Sequence, residues 1–262
     1  MSRHWLAVCS LVFLVPLEAL AQDPVQEVRE CMERNVPKKS SVENVRIVRV
    51  DRIGGESSCR GRVFAAQLAN GRRSSRVCLH EPPPMRGTEY LSTEVPGGAL
   101  ESWLYLPEAR SPRQLTGAAI GGGVCGSDVS YEDLERMQQL NRSESLDRRP
   151  DAKVDGREVY VIQAKPLDST QSAYTKVLSY VDRKSCVVIK SESFASGDSP
   201  RKRMTVRADD MLESNGVVAP AEVLVEDLRD KTHTTVSFDD LKVDEKIDER
   251  SFSKGEMGRH CR

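Results

Sequence analysis

The sequence predicts a mainly β protein built from antiparallel strands. From Val42 onward, apolar and polar side chains alternate with a period of two over short segments, which is typical of strands with one face turned to water. Asn70-Gly71 and Asn215-Gly216 separate such segments and are strong hairpin signals. Strands do not alternate with long helical segments, which excludes a parallel sheet. We therefore expect about ten strands joined by short polar turns.

The N-terminus has the pattern of an export signal. A basic start precedes an apolar run from Trp5 to Leu17, and Ala19-Leu20-Ala21 matches an A-x-A cleavage site. The run is short for a transmembrane span, although an uncleaved anchor is the alternative interpretation. We expect a signal peptide over residues 1–21, cleavage after Ala21, a single β domain over residues 22–262, and a periplasmic location.

The first element of the mature chain is predicted to be a short amphipathic helix. Asp23-Pro24 combines an N-cap residue with proline at the first helical position. The next apolar residues then share one face, namely Val25, Val28, Cys31 and Met32. The helix is expected to end before Pro37.

The remaining periodic segments are predicted strands, and a polar stretch over 141–155 is predicted to be a loop. Trp103-Leu104-Tyr105-Leu106 alternates aromatic and aliphatic side chains before Pro107, as a strand with two occupied faces does. The other predicted strands are 42–50, Arg60–Leu68, Arg72–His80, Arg157–Ala164, Ala173–Val181, Cys186–Ser193, Arg201–Met211, Val217–Asp227 and Thr232–Val243.

The centre of the chain contains a glycine-rich turn followed by one helix. Gly121-Gly122-Gly123 continues neither a strand nor a helix. Ser130 and Asp133 form a capping-box pattern at the start of the helix. The apolar residues of that helix are Tyr131, Leu134, Met137 and Leu140.

The order of these segments, from Arg86-Gly87-Thr88 through the glycines to Leu134, resembles the LolA-like family of outer membrane lipoprotein-sorting proteins. The most specific part of the resemblance is Gly126, Ser127, Asp128, Ser130, Tyr131, Glu132 and Asp133. Members of that family are periplasmic lipid carriers. The resemblance implies an open antiparallel half-barrel with an N-terminal helix and an internal helix covering its concave face.

The function implied by the resemblance is that of a carrier or chaperone. It would bind a lipid or lipoprotein acyl chain, take it from an inner-membrane transporter and hand it to an outer-membrane acceptor, without enzymatic chemistry, cofactor or metal. The alternative is an envelope accessory module that docks on a membrane transporter without carrying lipid. A nearly balanced charge, 39 Lys+Arg against 40 Asp+Glu, argues against nucleic acid as a partner.

In such a half-barrel, inward-facing apolar side chains of the strands would form the lipid-binding inner wall. A register change of one residue exchanges the two faces, so the candidates depend on the face that turns inward. They are Leu91, Leu104, Leu106, Val161, Leu178, Val188, Val223 and Val225. Trp103 and Tyr105 would then lie on the opposite face or at the rim.

The six cysteines outside the predicted signal peptide allow between zero and three disulfides, and at least one is expected. Six thiols permit about 15 complete pairings. Cys31–Cys186 is the preferred pair, because both residues lie at element ends and the resemblance implies thiols at these two places.

Four other patterns have a functional interpretation that the sequence makes less favourable. Gly121 to Gly126 formally matches a G-x-G-x-x-G dinucleotide motif, but the expected parallel strand is missing. Ser127 and Asp128 could belong to a serine hydrolase site, but none of the histidines lies in a recognisable nucleophile motif. Cys78 and His80 with His260-Cys261 lack metal-finger spacing. Arg201-Lys202-Arg203 could contact anionic headgroups, but is more simply a solvated strand start.

Overall fold

The computed structural model describes residues 24–138, 144–259 and 261. The predicted signal peptide, its predicted cleavage site and Leu140, which was predicted to belong to the internal helix, lie outside these residues. No helix among the described residues is long and apolar enough to cross a bilayer.

Two α-helices and fifteen strands make up the regular structure of these residues, together with short 3-10 turns. The helices are α1 (Pro24–Glu33) and α2 (Tyr131–Gln138). The strands are β1 (Ser40–Val50), β2 (Glu56–Gln67), β3 (Arg73–Glu81), β4 (Glu89–Glu94), β5 (Leu100–Leu106), β6 (Ser111–Leu115), β7 (Glu144–Val154), β8 (Arg157–Pro166), β9 (Lys176–Asp182), β10 (Val188–Phe194), β11 (Lys202–Val206), β12 (Met211–Ser214), β13 (Val217–Pro220), β14 (Glu222–Asp227) and β15 (Thr232–Val243).

The described strands form one open antiparallel sheet of thirteen strands and a separate β12–β13 hairpin. The order across the sheet is β6-β5-β4-β3-β2-β1-β15-β14-β11-β10-β9-β8-β7. The last strand in the chain, β15, pairs with both β1 and β14, and so joins the N-terminal meander to the later strands. The predicted mainly β architecture with an open antiparallel sheet is thereby confirmed.

The polar stretch expected to be a loop is strand β7 from Glu144 onward. It pairs with β8 along its length, and the register shifts between Arg149 and Ala152, which accommodates Pro150. Leu146 packs into the apolar cluster beneath α1. Because β7 is an edge strand, most of its side chains remain polar, and this hid the alternation in the sequence.

The segments 201–211 and 217–227 are also not single strands. The main-sheet strand β11 ends at Val206, and the chain then forms the β12–β13 hairpin before β14 returns to the sheet at Glu222. The hairpin turn at Asn215-Gly216 is as predicted, with a φ of 47° at Asn215. The sequence did not reveal that this hairpin leaves the sheet, because its side chains alternate like those of the adjoining strands.

Three disulfides connect cysteines within the described residues: Cys31–Cys186, Cys59–Cys125 and Cys78–Cys261. The first ties α1 to the β9–β10 turn, over a Cα–Cα distance of 5.2 Å. The second ties β2 to the glycine-rich turn. The third ties β3 to the C-terminal segment, which follows β15 and comprises the described residues 244–259 and 261. Cys78 and Cys261 are therefore unavailable to the metal site considered from the sequence.

The C-terminal segment covers one face of strands β3 to β5. Phe252 and Met257 pack with Leu91 in an apolar cluster that also receives Trp103 and Tyr105. This segment keeps that face of the N-terminal strands out of water, and leaves the other face to α2 and the interior.

A buried ion pair fixes the C-terminal segment further. Arg76 and Glu89 lie 2.5 Å apart with almost no exposure. Glu89 accepts a hydrogen bond from the backbone N–H of Gly258, and Arg76 donates to the backbone carbonyl of Ser251. Gly258 has a φ of 86°, and a Cβ there would lie 2.6 Å from the Tyr105 ring, so this close approach requires glycine.

Candidate functional site

A cavity of about 750 Å³ lies between the concave face of the sheet and a cover formed by α1, α2 and the β12–β13 hairpin. The apolar side chains from the sheet that line it are Val63, Val77, Val177, Val188, Met204, Val206, Val223, Val225 and Phe238. Those from the cover include Met32, Val36, Leu134, Met137, Val218, Ala219 and Pro220. A second cavity of about 240 Å³ shares part of this wall, including Val63, Met137 and Ala219.

The strand register shows which predicted residues face this cavity. Directly paired residues of antiparallel strands point to the same face, and successive residues point to opposite faces. Val188, Val223 and Val225 line the cavity, as expected for the inner wall. Leu104 and Leu106 share the cavity-facing side, because Leu104 pairs with Tyr90 and Tyr90 pairs with Val77.

Leu104 and Leu106 pack in the main apolar core rather than at the cavity surface. The remaining three candidates lie on the face of their strands opposite to the cavity-lining residues. Leu91 follows Tyr90 and packs beneath the C-terminal segment, and Leu178 separates the cavity-lining Val177 and Ser179. Val161 pairs with Tyr180, which also points away from the cavity.

The motif from Gly126 to Asp133 anchors the beginning of α2 on the sheet. Asp128 is buried and accepts hydrogen bonds from the hydroxyls of Thr232 and Thr234, at 2.6 and 2.8 Å. Its backbone N–H donates to the Thr234 hydroxyl at 2.9 Å. Arg49 lies 3.7 Å from the same carboxylate. These contacts hold Asp128 as a structural anchor on β15.

The cap of α2 has the predicted reciprocal geometry. The Asp133 N–H donates to Ser130 Oγ at 3.1 Å, and the Ser130 N–H donates to the Asp133 carboxylate at 2.8 Å. Asp133 also accepts from the Tyr174 hydroxyl and from Lys202 Nζ, at 2.8 and 2.9 Å. The capping residues therefore tie the helix to β11 and to the segment before β9.

Two other motif residues hold the sides of α2. Glu132 accepts from the Ser172 hydroxyl and the Ala173 N–H, at 2.5 and 2.8 Å. The Tyr131 ring stacks on Tyr90 with a centroid distance of 5.3 Å. These contacts position the helix over the cavity.

The basic triplet at the start of β11 is paired within the protein. Arg201 binds Asp227 and Asp230. Lys202 donates to the Asp128 carbonyl and to Asp133. Arg203 lies 3.5 Å from Glu192. These contacts argue against the headgroup-binding interpretation of the triplet.

Glu135 on α2 lies on the concave side of the sheet. It accepts hydrogen bonds from the hydroxyls of Ser102 and Tyr90. Burial raises the pKa of Glu135 to about 7, against the opposing effect of these two hydrogen bonds. Glu135 also lines the smaller cavity.

Glu43 on β1 lines both cavities and was not identified from the sequence. It pairs with Val63, which pairs with Val77, so all three share the cavity-facing side. Burial raises the pKa of Glu43 to about 7. The signal that could have found it is alternation, because Glu43 lies two residues before Val45 and therefore on the same face of β1.

The β12–β13 hairpin is fastened to the end of α1 through one asparagine. Asn35 accepts a hydrogen bond from the Val218 N–H at 3.1 Å, and its amide donates to the Ser185 carbonyl at 2.5 Å. The β12–β13 hairpin, the end of α1 and the β9–β10 turn therefore meet at this residue. The same turn carries Cys186, so the disulfide and the asparagine hold the same corner of the cavity.

The glycine-rich turn does not have the geometry of a dinucleotide site. It contains two 3-10 turns, and no strand–turn–helix unit of a parallel sheet is found among the described residues. Cys125 has a φ of 55° and is held by its disulfide to Cys59. The turn leads the chain from β6 across to the start of α2.

A family model described as "Uncharacterized protein" matches residues 71–259. No curated protein matches the sequence. Among solved structures, a domain assigned to outer membrane lipoprotein sorting from Vibrio parahaemolyticus aligns with a TM-score of 0.79 and 20% identity, over 89% of this chain and 97% of that one.

Two further structures share the fold. A DUF1329 family protein from Desulfovibrio piger aligns with a TM-score of 0.78 and 18% identity, over 90% of this chain and 99% of that one. A LolA superfamily protein from Nitrosomonas europaea aligns with a TM-score of 0.65 and 20% identity, over 88% of this chain and 97% of that one.

Proposed function

The chain belongs to the family whose model matches residues 71–259 and has the LolA-like fold, and from this premise we propose that it is a periplasmic carrier that binds a lipid or lipoprotein acyl chain. The observation that carries the proposal is the apolar cavity of about 750 Å³ beneath the helices and the hairpin. Its size falls within the range of about 300–1,000 Å³ that is typical of ligand pockets.

The energetics of burial fit a carrier that works without covalent chemistry. Each methylene moved from water into an apolar cavity contributes about 0.8 kcal/mol, so a sixteen-carbon chain contributes roughly 12 kcal/mol before entropic costs. A bilayer offers a similar gain. The cavity and the membrane therefore bind the acyl chain with similar free energies. The acyl chain can then move in either direction when a partner protein shifts the balance.

The proposed route runs between the two membranes of the envelope. An inner-membrane transporter would supply the lipid or lipoprotein and an outer-membrane acceptor would remove it. The assignment of the Vibrio parahaemolyticus structure to lipoprotein sorting supports this route. The polar residues that position α2 are bound within the protein, so the apolar wall is the main surface that an acyl chain would meet.

The test is whether protein purified from the periplasm without detergent brings lipid with it, measured by organic extraction and mass spectrometry. Met204→Trp places a larger ring in the cavity wall and should reduce the extracted lipid severalfold. Thr205→Trp is the matched control, because Thr205 is the next residue of β11 and faces the other side.

Lipid-free wild-type protein that also fails to bind added alkyl probes would contradict the carrier proposal and favour the docking module. Equal lipid content in the two tryptophan variants would place any bound lipid outside the cavity.

A further inference from the structure

Among the mostly buried acidic groups of the described residues that surround the cavity, Glu43 differs in lacking a partner, whereas Glu33 also lines the cavity but is exposed. Within this part of the chain the Glu43 carboxylate has no hydrogen bond or ion pair, and burial is the only cause that moves its pKa. Asp133 is held by Lys202, and Glu135 by Ser102 and Tyr90. A mostly buried carboxyl without a donor costs free energy that the fold does not recover, which is typical of residues kept for a ligand.

The position of Glu43 matches this interpretation. It lies on β1, next to the middle strand of the sheet, at the wall shared by the larger and smaller cavities. Val63 lies directly opposite on β2, and Phe238 and Met137 line the same space. A ligand whose alkyl chain fills the larger cavity would thus bring its polar end to this acceptor on a largely apolar wall.

Four of the five basic groups that line the larger cavity have partners of their own, and the fifth, Arg29 on α1, has none among the described residues. Arg136 binds Glu132 and Glu144, and Lys202 binds Asp133. Arg203 lies near Glu192, and Arg73 also has an interaction within the chain. None of these cations contributes to the pKa of Glu43, so the neutralising positive charge is left for the ligand to bring.

We propose that the cavity takes an amphiphile with an amino group close to its alkyl chain, and that the ammonium or amine N–H donates to the Glu43 carboxylate. This deepens the proposed carrier function and rests on it. A charge-assisted hydrogen bond in a dry wall is stronger than a neutral one, which gives the cavity a preference among chains of equal length. A fatty acid of the same length would place a second carboxylate beside Glu43 and bind less well.

The test compares dodecylamine with dodecanoate, each below its micelle concentration, by isothermal titration calorimetry at pH 8 with delipidated full-length mature protein. The wild-type protein should bind dodecylamine about tenfold more tightly or better, a difference of about 1.4 kcal/mol. Glu43→Gln should reduce that preference to about threefold or less while retaining the shape of the side chain.

Glu213→Gln is the matched control, since Glu213 is an exposed carboxylate on β12 that lines neither cavity, and it should keep the wild-type preference. Glu43→Met serves as a second variant and should give the same loss as Glu43→Gln. An amine preference that survives both Glu43 substitutions would overturn the inference and leave the carrier function standing. Equal binding of the two probes by the wild-type protein would have the same consequence. Failure to bind either probe would overturn the carrier function and the inference together.

Discussion

Two carboxylates on the concave side of the sheet have opposite surroundings. Asp128 is held by two threonine hydroxyls of β15 and forms part of the scaffold. Glu43 lies in a largely apolar wall, and burial raises its pKa to about 7. The first arrangement stabilises the fold, whereas the second reduces its stability, which is why we propose a ligand-binding role for Glu43 and a structural role for Asp128.

Replacement of Asp128 should reduce stability strongly. In Asp128→Asn one carboxylate oxygen becomes an N–H donor, so one of the two buried threonine hydroxyls loses its acceptor. We expect the free energy of unfolding to fall by about 1.5–3 kcal/mol, measured by urea denaturation. Asp198→Asn is the control, because Asp198 is almost fully exposed in its pair with Lys176 and should change stability by less than about 0.5 kcal/mol. Equal losses in the two variants would remove the anchoring role of Asp128.

The effect of Glu43 on stability should depend on pH. Its folded-state pKa is about 7, above the ordinary 4.5, so its favourable contribution is fully present below about pH 4.5 and is lost as the pH rises to about 7. Glu43→Gln should therefore have a higher free energy of unfolding than the wild type at pH 8, by up to about 3 kcal/mol, and the difference should be much smaller at pH 5. Urea denaturation at the two pH values measures both differences. A difference that stays constant between the two pH values would show that Glu43 is not desolvated in the apo protein.

The two helices of the cover are fixed to the sheet by different chemistry. α2 is held by the polar residues from Asp128 to Asp133, whereas α1 is held by Cys31–Cys186 and by the apolar contacts of Val28 with Ile162 and Val181. The sequence predicted the reciprocal cap of α2, because Ser130 and Asp133 act within one helical turn. It did not predict the contacts of Asp128 with Thr232 and Thr234, because these residues are distant in sequence and meet only when β15 takes its place in the sheet.

Removal of the α1 disulfide should loosen that side of the cover. The bond closes a separation of 155 residues, and its loss in Cys31→Ser/Cys186→Ser is expected to cost about 2–5 kcal/mol in the free energy of unfolding. Limited proteolysis should then cut near α1 in the variant and spare it in the wild type under native conditions. The same experiment on wild type with mild reductant is the control. An intact α1 in both the variant and the reduced wild type would mean that the apolar contacts of Val28 and the polar contacts of Glu27 with Arg148 and Tyr160 are enough to hold the helix.

At the scale of the whole molecule, the C-terminal segment decides which face of the N-terminal strands lies inward. The sequence predicted alternation in β5, but both faces of that strand carry large apolar side chains, so either face could turn inward. The same holds for β4, where the neighbouring residues Tyr90 and Leu91 are both large. Phe252 and Met257 cover the Leu91 side, and they lie more than half the chain away from it in sequence. Glu43 was missed for a related reason: Val42 beside it is also buried, so the start of β1 offers two inward faces until its neighbours are in place.

The three disulfides are typical of a protein from an oxidising compartment, and this supports the export that the sequence predicts. Each of the three disulfides joins a different outer segment to the sheet: α1, the glycine-rich turn and the C-terminal segment. Such bonds form and persist outside the reducing cytosol.

Protein recovered from the periplasm should begin at Gln22, and its intact mass should show that all six remaining thiols have lost their hydrogens. The same chain expressed without residues 1–21 in a reducing cytosol is the control and should carry free thiols and unfold at lower urea concentration. A retained Met1 in the periplasmic sample would contradict cleavage after Ala21, and six titratable thiols there would contradict the role of the disulfides in holding the cover.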